Sequence, residues 1–447
     1  MGFVPAVPAI GRRRTWPSRV PLVVLALVAS TLGIVESVPF LATVPLVVCL
    51  LLALAGTRRG GTESRLVVPL AVAAAVVGTV TGQLVMVLGF SDRPALAAVL
   101  GGLAALTAVA AVVVPRLFWL HLTAAGALHV LYVWDVHPDI DVGYFVRDST
   151  AALLDGRNPW ALTFHNPYTA AETARLWAEE FVDGDRILLG YPYLPGSLVA
   201  YLPGHVVGEV RLASVAALLV ATALVWRMTT DLVGRILVTT LPLTALALLT
   251  SVNYWIEPAL VLGVALLAWS ARRGSRVGGA AAVALLLSTK QYAVVWLPLE
   301  RLVRRTIGVR ALLAGVGAAA LLVVAGFLWA PAEFWQAVVR AQLVQPYRAD
   351  SISLAVDLVD VGVPIPAVVL SVSSLLAGLA IAAWVRATAP AGATWLVLGI
   401  GLSLLGTVLL SKQAFTNYYF LIHACAVFGA ALWPADLARD EPDARSD

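Results

Sequence analysis

Apolar runs close to 20 residues long recur from one end of the chain to the other, separated by short breaks rich in Arg, Gly and Pro. A helix of about 20 apolar residues crosses ~30 Å of hydrocarbon. Spans are therefore expected near 18–36, 38–56, 66–90, 94–114, 116–134, 211–229, 235–251, 254–271, 309–330, 363–385, 393–411 and 415–434. Two shorter runs, 277–289 and 291–303, read as a hairpin with Ser288-Thr289-Lys290-Gln291 at its tip. Helix is the state expected for all of them, because lipid satisfies no backbone group and nothing alternates like a barrel strand. Two stretches break the pattern, a polar one over 135–190 and an amphipathic one over 331–362. Between the first and the next span lies 191–208, apolar but interrupted by Pro192, Pro195 and Pro203, which predicts a re-entrant or interfacial helix. The expected fold is an all-α polytopic transmembrane helical bundle of about 12–14 spans with an extracytoplasmic loop of short helices. Its parts are a four-span segment 1–114, a membrane domain 115–434 carrying outer loops 135–190 and 331–362, and a solvated, disordered cytoplasmic tail 435–447.

Composition removes the soluble readings: 60% of the 447 residues are hydrophobic and 13% charged, about half the charged fraction of an ordinary soluble domain. The net charge of +4 does not point to nucleic acid, because the arginines sit in short loops beside apolar runs, where they orient the chain. With the N-terminus in the cytoplasm, 20 of the 30 Lys and Arg fall inside, and both polar stretches fall outside. This predicts a multi-pass plasma-membrane protein with both termini cytoplasmic. Arg12, Arg13, Arg14 and Arg19 precede the first run, which lacks a small-residue cleavage site and reads as a retained span. Cys49 and Cys425 lie in apolar runs, so no disulfide or metal framework is expected.

Candidate chemistry gathers at the outer ends of the spans. Asp135, Asp139 and Asp141 fall within seven residues of a membrane exit, and 135–190 holds ten acidic residues against four arginines. A helix is expected from Asp141 to Asp155, stopped at Gly156 and followed by an Asn158-Pro159 turn, with Asp141, Phe145 and Asp148 on one face. The chain has two lysines, Lys290 and Lys412, each followed by glutamine (Gln291, Gln413) and each at an outer tip. A chain that orients itself with arginine does not need lysine there, and a compact ammonium suits a phosphate oxygen. In 331–362, Phe334 and Trp335 read as interfacial anchors, and Arg340 and Arg348, with Gln342, Gln345 and Tyr347, as groups to face a phosphate or sugar. Asn417-Tyr418-Tyr419 suits a sugar or an isoprenoid chain. Asn253, Tyr254 and Glu257 sit at another tip, where an ionisable residue is costly unless used.

In order and spacing these pieces resemble the C-type integral membrane glycosyltransferases, in particular glycosyltransferase family 87, the polyprenyl-phosphomannose-dependent mannosyltransferases. Asp141-Val-Gly-Tyr144-Phe145 followed by Gly156-Arg-Asn-Pro159-Trp160 resembles the family's aspartate motif, and Tyr191-Pro-Tyr-Leu-Pro195 its Tyr-Pro-Pro element. Thr289-Lys290-Gln291-Tyr292 resembles its lysine segment, and Asn417-Tyr418-Tyr419 its late aromatic element. The resemblance covers about 115–434. Two departures are Tyr193 in place of the second proline and four spans, not one, before the span leading into the aspartate loop. The resemblance implies inverting, metal-independent and cofactor-free transfer of a hexose, mannose in the family, from a polyprenyl-phosphate donor to a glycolipid or polysaccharide hydroxyl outside the membrane. Asp141 would be the general base, with Asp139 or Asp135 as fallback. Lys290, Lys412, Arg348 and Arg340 would hold the phosphate, and Tyr144, Asp148, Tyr191, Gln291, Gln413, Asn417 and Tyr418 the substrates. The rival reading is a secondary transporter or lipid-linked-sugar flippase, which would place its ionisable residues nearer mid-membrane and show internal repeats.

Overall fold

The computed structural model describes residues 19–30, 46–48, 50, 66–348 and 350–440. Arg12–Arg14, most of the expected span 38–56, Cys49, Arg58, Arg59, Arg65 and the last seven residues lie outside the described residues.

The chain is an all-α polytopic bundle. Among the described residues, six helices are long and apolar enough to cross a membrane: Val67–Gly89, Pro94–Val113, Pro115–Asp135, Leu232–Val252, Val309–Trp329 and Ala367–Thr388. Their packing is that of lipid-embedded helices, small residues inward and large ones outward. Along Pro94–Val113 the buried positions are Ala97, Gly101, Ala104, Thr107, Ala108 and Ala111, while Leu106 (67% exposed) and Val113 (74%) point away from the protein. Water would not tolerate that outer surface over so many helices, and hydrocarbon does.

Several expected spans are shorter or broken. Leu232–Val252 is interrupted at Pro242, yet it lies almost wholly inside the bundle. Buried His129 meets the Pro242 carbonyl there through Nε2 at 2.8 Å. Pro195–Val206 turns by 106° into Arg211–Trp226, so 191–208 does not run straight into the next span, as its prolines predict. The 277–303 region folds back as a hairpin. The helix Arg276–Thr289 ends at Lys290, a 3-10 helix covers Gln291–Leu299, and Glu300–Ile307 brings Ile307 against Gly279 at the starting end.

Residues 22–29, 67–74 and 393–433 share one apolar core, which ties the N-terminal segment to the last two helices. The last helix runs Thr416–Asp440, past the expected start of a disordered tail. Asp436 is buried, pairs with Arg272 at 3.0 Å and accepts the Thr394 N–H at 2.9 Å. The expected tail at 435–440 is therefore corrected: a buried ion pair and a backbone donor hold that turn in the bundle.

The two polar stretches pack together over one end of the bundle, here called the loop face. The helix Asp141–Leu154 starts and stops where expected, ending before Gly156 at φ 70°. Asn158 then caps a short 3-10 turn by accepting the Trp160 N–H at 2.8 Å. Phe145, Trp160, Phe164, Trp177, Phe181 and Phe334 form an aromatic core for this face. Phe334 is thus corrected from interfacial anchor to buried core, its ring tilted against Trp160 with centroids 5.1 Å apart, while Trp335 stays 55% exposed. Three two-residue strands, β1 (Phe164–His165), β2 (Val182–Asp183) and β3 (Arg186–Ile187), make a small antiparallel sheet with β3 in the middle, where only helices were expected.

Candidate functional site

At the loop face a cleft of about 910 Å³ opens between the aspartate helix, the hairpin tip and the segments around 342–350 and 413–418. The residues singled out in the sequence that line it include Asp139, Asp141, Asn253, Lys290, Gln345, Arg348, Gln413, Asn417 and Tyr418. These come from five segments of the chain, which the fold brings together.

Asp141 is the first residue of its helix, and its Oδ1 accepts the Val142 N–H at 2.7 Å. Burial raises its pKa above the usual aspartate value, against the opposing pull of the Val142 N–H, the Arg348 guanidinium and the Tyr168 phenol. Arg348 faces the same space. Its guanidinium forks onto Asp350 at 2.7 and 2.6 Å and lies 4.7 Å over the Phe415 ring.

Lys290 sits in extended backbone at the hairpin tip, where Ser288 and Thr289 turn their hydroxyls back onto the helix carbonyls of Ala284 and Leu285. The tip lies against the start of the Pro195–Val206 helix, and any side chain at Gly196 would collide with the Ser288 backbone. The ammonium pairs with the fully buried Glu257 carboxylate and is ringed by Tyr418 at 4.3 Å, Tyr292 at 5.2 Å and Tyr193 at 5.5 Å. Glu257 Oε2 and Asn417 Oδ1 are both buried without a hydrogen-bond partner among the described residues. Such acceptors ask for a donor or a change of conformation.

The other candidates are engaged in contacts within the protein. Lys412 donates to the carbonyls of Leu343 at 2.9 Å and Gln345 at 2.7 Å, capping the end of the helix Ala341–Val344, and burial lowers its pKa. Arg340 pairs with Glu180 on the exposed surface. Gln291 donates to the carbonyls of Pro192 at 2.6 Å and Val338 at 3.0 Å, stapling three segments. Tyr191 is buried against Ser197 Oγ at 2.7 Å. Asp135 is buried and holds the turn before Pro94, through Ser91 Oγ at 2.8 Å, the Arg93 N–H at 3.1 Å and the Arg93 guanidinium at 3.3 Å. Asp148 pairs with Arg147, and Tyr144 donates to Asp139 at 2.9 Å; Asp148 and Tyr144 do not themselves line the cleft. These polar groups sit where a carbonyl, a backbone N–H or an opposite charge needed a partner, which residue type alone does not reveal.

Sequence reading missed Tyr168, Trp177, Trp255 and Asp350 as cleft residues. Nothing in their local spacing marks them. Glu257 carried a signal, an ionisable residue at a span boundary, but its partner could not be read. No protein-family model matches the chain, nor does any curated protein or solved structure.

Proposed function

We propose that this cleft is the active site of an integral membrane glycosyltransferase, which moves a hexose from a polyprenyl-phosphate donor to an acceptor hydroxyl on the extracytoplasmic face of the plasma membrane. The observation that carries the reading is the meeting, in one cleft, of a carboxylate with a raised pKa and two cations at the end of a lipid-embedded bundle. Asp141 accepts the proton of the acceptor hydroxyl as its oxygen attacks the anomeric carbon. The bond from that carbon to the phosphate oxygen breaks, and polyprenyl phosphate leaves carrying the electron pair. Attack opposite the leaving group inverts the centre. Arg348 and Lys290 face the growing phosphate charge, and Gln413, Asn417 and Tyr418 face the sugar or the first isoprene units. Neither cation arrives free: Arg348 shares Asp350, and Lys290 shares Glu257. The phosphate therefore competes with a carboxylate at both, which favours the product dianion over the donor monoanion.

The decisive experiment uses purified protein in proteoliposomes with radiolabelled polyprenyl-phosphomannose and a crude envelope-glycolipid acceptor fraction. Wild type transfers label, and Asp141→Asn loses 100-fold or more of kcat with donor binding retained. Full activity in Asp141→Asn overturns the base assignment.

A second reading, a secondary transporter or lipid-linked-sugar flippase, is favoured by one observation, the buried Glu257–Lys290 pair, whose Glu257 Oε2 has no hydrogen-bond partner among the described residues. Movement of labelled donor across the bilayer, without transfer, would select it.

A further inference from the structure

A second, smaller cavity of about 250 Å³ lies beside the cleft, and Pro138, Asp139 and Ile140 line both. Its walls are His137, Asp139, Tyr144, Arg147 and Tyr254, with Gly143 behind them. Tyr254 is the one non-glycine with positive φ among the described residues, at 59°. Such backbone is strained and persists only where the surroundings over-determine it. Here the Tyr254 carbonyl accepts the Tyr201 hydroxyl at 2.9 Å, the buried Arg211 guanidinium lies 4.7 Å over the ring, and a Cβ at position 143 would stand 3.3 Å from it. The strained loop thus holds an aromatic ring in the cavity wall, and three residues further on the same loop delivers Glu257 to Lys290.

The rim is polar and mixed in charge. The Tyr144 hydroxyl orients Asp139 at 2.9 Å, and Arg147 stacks 5.0 Å over the Tyr144 ring. Aromatic walls offer apolar surface, a carboxylate accepts hydroxyl hydrogens and a guanidinium donates to hydroxyl oxygens. One cation beside one carboxylate does not select an anion. The volume falls below the ~300 Å³ at which pockets for drug-sized ligands begin. These features fit a single sugar ring. Lys290 and Arg348 line only the larger cleft, so the phosphate-bearing donor belongs there.

Resting on the glycosyltransferase reading, we propose that the smaller cavity is the subsite for one sugar ring of the acceptor, with Tyr254 and Tyr144 against the ring and Asp139 and Arg147 on its hydroxyls. It presents a hydroxyl toward Asp141 past the shared wall.

The test uses full-length protein in detergent, with methyl α-mannopyranoside, methyl β-galactopyranoside and methyl α-arabinofuranoside as probes in saturation-transfer difference NMR. At least one probe is expected to show contact that falls tenfold or more in Arg147→Gln and persists in Glu257→Gln/Lys290→Met, whose residues do not line the smaller cavity. Tyr144→Phe, which deletes one hydroxyl, serves as the second variant should Arg147→Gln melt early, with a loss of about threefold expected. Silence from all three probes overturns the subsite. So does contact that ignores Arg147→Gln, or that vanishes only in the double variant. Transfer is measured separately. Wild type that transfers label with an acceptor KM unchanged in Arg147→Gln overturns the subsite alone. Arg147-dependent glycoside contact in a protein that consumes no polyprenyl-phosphate sugar keeps a sugar site and sinks the enzyme reading.

Discussion

Asp141 and Lys290 show how environment changes the meaning of a residue. Burial raises the Asp141 pKa, so the folded protein disfavours its charged form. The stability this contributes is present at low pH and lost as pH rises through the folded value. Asp141→Asn is therefore expected to leave the melting temperature at pH 7.5 unchanged or higher while abolishing transfer. As a base, Asp141 must be ionised, so kcat/KM should climb with pH through an apparent pKa above the ~3.9 of a free aspartate. A flat acid limb down to pH 4 would contradict that role. Lys290 reads from the sequence as a phosphate-seeking cation, but its ammonium is held by a buried carboxylate. Removing one partner of such a pair leaves an uncompensated charge and costs about 3–5 kcal/mol. Lys290→Ala alone would thus confuse misfolding with lost function. Lys290→Met and Glu257→Gln should each melt early, and the double variant should recover most of the loss. Additive losses would show that the two side chains do not act as a pair.

At the scale of elements, the loop face is assembled by polar side chains reaching backbone groups across long sequence distances. Lys412 caps the Ala341–Val344 helix, and Gln291 ties the 192 and 338 carbonyls to the hairpin tip. Lys412→Met leaves two carbonyls without their donor, at a cost of about 1–3 kcal/mol each where buried. The expected result is faster proteolysis within 341–350 and a lower melting temperature, with donor KM in the surviving protein within twofold. A tenfold rise in donor KM at unchanged stability would restore Lys412 to the phosphate site. The aspartate helix itself was legible, since Gly156 and Asn158-Pro159 announce its end and local rules suffice. The small sheet at 164–187 was not, because two-residue strands carry no periodicity.

For the whole molecule, the arginine distribution makes a topological prediction that the fold leaves open. The loop face should lie outside, and the end carrying Arg301, Arg304 and Arg305 in the cytoplasm. With Cys49 and Cys425 replaced by alanine, a single cysteine at exposed Asp183 should react with an impermeant maleimide on intact cells, and one at exposed Arg304 only after permeabilisation. The reverse pattern would put the cleft in the cytoplasm and remove an extracytoplasmic reaction. An all-α membrane bundle could be read from the apolar runs alone, because hydrocarbon admits few other solutions for so many of them. It also marked the aspartate helix, the hairpin tip and the late aromatic element, which announce themselves by local departures from that pattern. Which polar residues face a cleft and which serve as struts emerged from the fold. Lys290 and Lys412 look alike in sequence, yet one meets Glu257 and three tyrosines and the other two carbonyls. That difference arises from contacts across tens to hundreds of residues, where spacing along the chain carries no information.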